Sequence, residues 1–164
     1  MLYRKMNFLV GMTLTAAMLL ITGTALGAAT SVAVSGGQMT VGIIDPGTSW
    51  VDDEGITHVR GLILEVSFTG DIEGSAIQGL NYNMDAMGNG DLHGTAEFEG
   101  TIFGDEAALA GRFAGDISGG VFSADSIGHG TIGGAQAQSR LTTTGVLGSG
   151  VATYSGTILF PRGQ

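Results

Sequence analysis

The chain has 164 residues, of which six are basic, 15 acidic and 30 glycine, with two prolines and no cysteine. The missing cysteine excludes disulfides, a lipid-modified N-terminal cysteine and a thiol nucleophile. The net charge of −9 disfavours nucleic acid and anionic membrane surfaces as partners, because both would be repelled.

Arg4 and Lys5 precede an apolar run from Phe8 to Leu26, and small residues follow it at Ala25, Gly27 and Ala29. That order of charged, apolar and small segments predicts a secretory signal helix over residues 1–29, with cleavage near Gly27 or Ala29. Residues 30–164 are then the folded domain, and the location is extracytoplasmic. An uncleaved anchor is the alternative, because the apolar run nearly reaches membrane-spanning length. Thr13, Thr15, Thr22 and Thr24 interrupt the run and favour cleavage. Membrane contact is expected only through this segment. Cleavage after Gly27 leaves 137 residues, with four arginines against 15 acidic side chains, a net charge of −11. The 27 glycines that remain discourage helices.

The mature segment opens with two short predicted strands, Thr30–Ser35 and Gln38–Ile44, around Gly36-Gly37. Asp45-Pro46-Gly47 starts a loop to Gly55, in which Trp50 is expected to plug one end of the fold. Ile56–Thr69 alternates Leu62, Leu64, Val66 and Phe68 with Ile63, Glu65, Ser67 and Thr69, the period of a half-buried strand. Ile72–Ala86 follows, with Leu80, Tyr82 and Met84 on one face and Asn81 and Asn83 on the other. Gly88-Asn89-Gly90-Asp91 is a hairpin signal.

From Gly90 to Ile102 the alternation is cleanest. Leu92, Gly94, Ala96, Phe98, Gly100 and Ile102 share one face, and His93, Thr95, Glu97, Glu99 and Thr101 the other. Gly111, Phe113, Gly115 and Ile117 resume a buried face after Gly104-Asp105. Glu106–Ala110 has helical propensity but is too short to nucleate a helix. Val121–Ile127, a glycine-interrupted His129–Gly134, Leu141–Val146 and Val151–Phe160 are further strands, with Gln136–Arg140 read as a loop. Gly-Asp at positions 70, 90, 104 and 115 reads as turn chemistry rather than as a calcium repeat.

About eight or nine strands in sequential hairpins predict an all-β fold, a single antiparallel up-and-down barrel of about eight strands. Closure removes exposed edges, and glycines permit the curling it requires. The runs GDLHGTAEFEGTIFG and LAGRFAGDISGG (residues 90–120) and GSGVATYSGTI (148–158) resemble small bacterial and archaeal members of the allene oxide cyclase-like barrel superfamily. The resemblance covers about residues 56–160. It implies an eight-stranded, calycin-like barrel with a central apolar cavity. It carries over no active-site residue.

No constellation for catalysis emerges. His58, His93 and His129 lie 35 and 36 residues apart, without the close pairs of a zinc site. Glu97 and Glu99 on an outward face are expected to pair with Arg112 across a hairpin. Asp45, Asp52, Asp53 and Glu54 fill one loop, but not at the spacing of a calcium-binding EF-hand. Phosphate-loop, dinucleotide and nucleophile-elbow motifs are missing, so no cofactor, metal or catalytic residue is assigned.

What remains is the inward face. Leu64, Phe68, Tyr82, Phe98, Phe113 and Tyr154 are the candidate ligand-binding residues, with the two tyrosine hydroxyls available to an apolar guest. The aromatic side chains set against inward glycines predict a filled or nearly filled barrel. The sequence thus supports an exported, non-catalytic barrel with capacity for a small hydrophobic molecule. The alternatives are a cyclase or isomerase acting on a lipid-like substrate, and a cell-surface assembly protein joined through Thr30–Ile44. The enzyme reading needs an inward charged or amide group; Asn81, Arg60 and Glu65 qualify only if the register slips by one.

Overall fold

The computed structural model describes residues 29–161. The signal segment predicted over residues 1–29, with its cleavage point, falls outside this range, save for Ala29. Among the described residues no helix forms; every element is a strand. The strands are β1 (Thr30–Asp45), β2 (Thr48–Val51), β3 (Thr57–Gly70), β4 (Ile72–Met84), β5 (Gly90–Ile102), β6 (Asp105–Ser118), β7 (Val121–Ile132), β8 (Ala135–Val146) and β9 (Val151–Phe160).

Each of β3 to β8 pairs antiparallel with the next, and β1 closes the ring by pairing with both β9 and β3. The result is a closed antiparallel barrel of eight strands. The short β2 continues the line of β1 along β3, with Thr48 opposite Arg60 and Val51 opposite Thr57. Two residues expected to turn, Pro46 and Gly47, are only a break in one long strand. The barrel is steeply staggered. A walk across paired residues from Phe68 through Met39, Ala152, Gly145, Phe122, Ile117, Gly90 and Met84 returns to β3 at Thr57. Such stagger tilts the strands and widens the interior.

Several sequence expectations need correction. The two N-terminal strands are one, bent by an irregularity between Val34 and Gly37. The segments 121–127 and 129–134 merge into β7, and Gln136–Arg140 is strand, not loop. Of the four Gly-Asp pairs, Gly70-Asp71 and Gly104-Asp105 turn the chain, whereas Gly90-Asp91 opens β5 and Gly115-Asp116 lies inside β6. Trp50 plugs nothing: it is 46% exposed on the outer wall, because its register sets it opposite His58.

The apolar alternation of β3 to β6 falls where the period placed it. Leu62, Leu64, Val66 and Phe68 face inward with Leu80, Phe98, Phe113, Tyr154 and Ile158. Glu65, Glu97 and Glu99 are exposed on the outside. An apolar interior within a polar wall is the reverse of a membrane-spanning barrel.

The two ends differ. The end that carries the turns at 70–72, 102–105 and 132–135 is plugged by Ile72, Ile102, Ile132 and Ile158, with Ile102 and Ile158 at 0% exposure. Phe68 stacks edge-on against both Phe98 and Tyr154, with ring centroids 5.6 and 5.5 Å away. The Tyr154 hydroxyl accepts the Ile72 N–H at 3.1 Å and donates to the Thr69 carbonyl at 2.9 Å, which pins the β3–β4 turn.

The opposite end is a rim of stitched loops. Gly120 N–H donates to Gly88 O at 2.8 Å, Leu147 N–H to Gly120 O at 2.9 Å, and Val41 N–H to Gly150 O at 2.8 Å. Gly88 has φ +79°, and a Cβ there would lie 2.8 Å from the Gly120 nitrogen, so only glycine lets these loops meet.

Candidate functional site

The barrel is not filled. A cavity of about 400 Å³ occupies the interior from the Ile72–Ile102 floor to the loop rim. The expectation of a filled interior counted the aromatic side chains but not how the small residues cluster.

The ladder shows that clustering. One transverse rung runs Leu64, Gln78, Ala96, Gly111, Gly128, Ser139, Ile158. Four consecutive strands thus contribute Ala, Gly, Gly and Ser to one register rung, and side-chain volume is missing along an oblique stripe of the lumen wall. The rungs above and below mix large and small: Leu80, Gly94, Phe113, Ser126 and Leu141 on one, Ala76, Phe98, Leu109, Gly130 and Ala137 on the other. An aromatic ring covers Gly94 on the first of these, and Gly145, nearer the rim, is covered likewise. A Cβ on Gly94 would lie 2.5 Å from the Phe113 ring, and one on Gly145 2.8 Å from the Phe122 ring.

Leu64, Phe68, Tyr82, Phe98 and Phe113 line the cavity. Tyr154 does not. It belongs to the plug, and its hydroxyl is already engaged by Thr69 and Ile72. The mouth is apolar, with Ile43 68% exposed beside Val146 and Val151.

Sequence reasoning missed the polar part of the lining. Gln78, Ser126, Ser139 and Thr143 all border the cavity. Gln78 stands on the inward face of β4 between Ala76 and Leu80, both buried. It is an inward amide in the expected register, without any slip. Asn81, Arg60 and Glu65, the residues conditionally assigned that role, keep to the outer side: Asn81 Oδ1 accepts the Gly61 N–H at 2.9 Å, and Glu65 is exposed. No carboxylate or imidazole is among the lining residues.

A second polar group sits on the outer wall near the rim. His58 Nε2 lies 2.7 Å from Asp52 Oδ2, and its Nδ1 lies 2.8 Å from Asn83 Oδ1. Asn83 is oriented by Arg60, whose guanidinium donates to Oδ1 at 2.6 Å, and by Asp91, which accepts from Nδ2 at 3.0 Å. Both ring nitrogens of His58 therefore face acceptors, which is the geometry of an imidazolium. The Trp50 ring stacks on His58 with centroids 5.0 Å apart, and Arg60 lies 5.7 Å from the indole centroid. The hydrogen bonds to Asp52 and Asn83 raise the His58 pKa, and the bond from His58 lowers that of Asp52.

Asp52 also accepts the backbone N–H groups of Glu54 and Ile56, so this carboxylate holds a turn. Asp45 likewise accepts from Gly47. No cluster among the described residues could hold a metal ion. Arg112 stands opposite Thr95 and does not pair with Glu97 or Glu99; the His58–Asp52 contact is the sole ion pair among the described residues.

No family model, curated protein or solved structure matches this chain.

Proposed function

We propose that this protein is an exported, non-catalytic barrel that binds one small hydrophobic molecule in its lumen. The observation that carries the reading is the cavity of about 400 Å³, plugged at one end and apolar at its open mouth. That size lies within the range of small-molecule pockets. The binding force would be burial of apolar surface against Leu62, Leu64, Phe98 and Phe113, at about 25 cal/mol per Å². No carboxylate or imidazole lines the lumen, and burial of apolar surface is the interaction that its lining favours.

The purified protein should take up a solvatochromic naphthalene dye in one saturable, blue-shifted site. Native mass spectrometry should find apolar molecules retained from expression. Ala96→Phe places a ring in the void beside Gly111 and should weaken dye binding at least roughly ten-fold, about 1.4 kcal/mol, while the fold persists. Equal dye binding by wild type and Ala96→Phe, or no binding of any apolar compound, would refute the proposal.

A further inference from the structure

A polar belt winds obliquely through the cavity wall, and it constrains what could occupy the lumen. Gln78 lies midway along β4, and its register rung continues through Ala96, Gly111, Gly128 and Ser139. Below lie Phe98 and Leu109, and above lie Leu80 and Phe113, so the amide has apolar lining on both sides. No side-chain polar atom of the described residues is both sealed and unpartnered. The Gln78 amide must therefore be satisfied from the lumen or within its wall. The hydrogen bonds among the described side chains leave it without a protein partner, although those same bonds occupy Asn81 and Asn83. An amide offers both an N–H donor and a C=O acceptor, so it can serve a carbonyl or a hydroxyl equally.

Charge narrows the class further. The cations Arg60 and Arg140 stand on outward register positions, and Arg112, though it borders the cavity wall, lies between inward Gly111 and Phe113 and so faces out. No cation is placed to receive a carboxylate at the belt. Acidic residues dominate the outer wall and would repel an anion at the mouth. A buried unpaired anion is also costly.

We propose that the lumen selects a neutral, mid-chain oxygenated hydrocarbon, its carbonyl or hydroxyl held by Gln78 and its two apolar arms lying toward plug and mouth. The cavity would hold roughly a dozen non-hydrogen atoms, at about 30 Å³ each. This inference rests on the hydrophobic-binding reading and adds the polar group that reading lacks.

Headspace partition of three probes tests it on the intact protein: dibutyl ketone, nonane of matching length, and nonanoate as a competitor. Wild type should hold the ketone roughly ten-fold more tightly than nonane after correction for their water–vapour partition, the worth of one well-made buried hydrogen bond. Nonanoate should displace the ketone poorly. Gln78→Leu should lose the ketone preference while keeping nonane binding, which also shows that the variant is folded. Equal affinity of wild type for ketone and nonane, a preference that survives Gln78→Leu, or efficient displacement by nonanoate would overturn the inference and leave hydrophobic binding standing. Failure of wild type to bind either neutral probe would overturn both.

Discussion

At the scale of single residues, two side chains hold the barrel's ends in different ways. Tyr154 pins the plug. Burial raises its pKa above 10.0, so it stays a neutral donor as well as an acceptor. Tyr154→Phe would strip the partner from the buried Ile72 N–H and should cost about 1–3 kcal/mol, read from denaturant unfolding. His58 pins the rim from outside, and its contribution depends on pH. Its folded pKa lies above 6.5, so its stabilising bonds are complete below that value and are lost as pH rises through the raised pKa. Asp52 has a folded pKa below 3.8, so its share is complete above 3.8 and is lost as pH falls through the lowered value. The pair is therefore fully formed between those two unfolded values, on the mildly acidic side. The thermal unfolding midpoint should fall slightly from pH 6 toward pH 9, and His58→Gln should flatten that slope. An NMR titration of His58 with a midpoint at or below 6.5 would contradict the imidazolium assignment. Solvent screens so exposed a pair, so the effect is small.

At the scale of elements, glycines decide how closely strands approach. Gly74 on β4 faces Gly100 on β5 and has φ +142°. A Cβ at Gly74 would lie 2.4 Å from the Glu99 carbonyl and 2.7 Å from the Gly100 Cα, both backbone atoms that cannot swing away. Gly74→Ala should therefore destabilise the barrel by about 1–3 kcal/mol, measurable as a lower midpoint in urea with an unchanged slope. The same residue type governed what could be read from the sequence. Strands β3 to β5 and the second half of β6 were legible because apolar residues alternate with polar ones, whereas Glu106–Ala110, read only as a short stretch of helical propensity, is the first half of β6. Residues 136–140 were not. There Ala137 and Ser139 face inward and Gln136 and Arg140 face outward, so the alternation is small against polar and carries no apolar signal. The stretch that hid a strand also hid the cavity, since Ser139 belongs to the rung of missing side chains. Gln78 escaped notice for a related reason: a polar residue at an inward position looks like an interruption until the ladder shows its level. The His58 cluster was out of reach, because it joins Trp50, Asp52, His58 and Arg60 to Asn83 on β4 and Asp91 on β5 through strand registers, one of them shifted between Val59 and Leu62, that the residue pattern does not mark.

At the scale of the whole molecule, the barrel is stable at one end and receptive at the other. The plugged half is packed through Ile102, Ile158 and Val66, each at 0% exposure, whereas the upper half surrounds a void and rests on loop-to-loop hydrogen bonds. Local opening should need less free energy where fewer buried side chains must separate. Amide hydrogen exchange should therefore be graded along single strands. In β5, Thr101 and Ile102 at the plug should exchange only through global unfolding. Leu92 and His93 near the rim should exchange faster, through partial opening. A bound apolar molecule bridges the walls of the upper half, and so raises the cost of partial opening there by the free energy of its own release. Dibutyl ketone should thus slow exchange at Leu92, His93 and the facing Ala114 and Gly115, by the same factor as at the plug amides, because global unfolding releases the ligand too. Uniform protection along β5 would mean that the barrel opens only as one unit. A ligand effect confined to the plug would place the occupied space below the belt, against the small-residue rung.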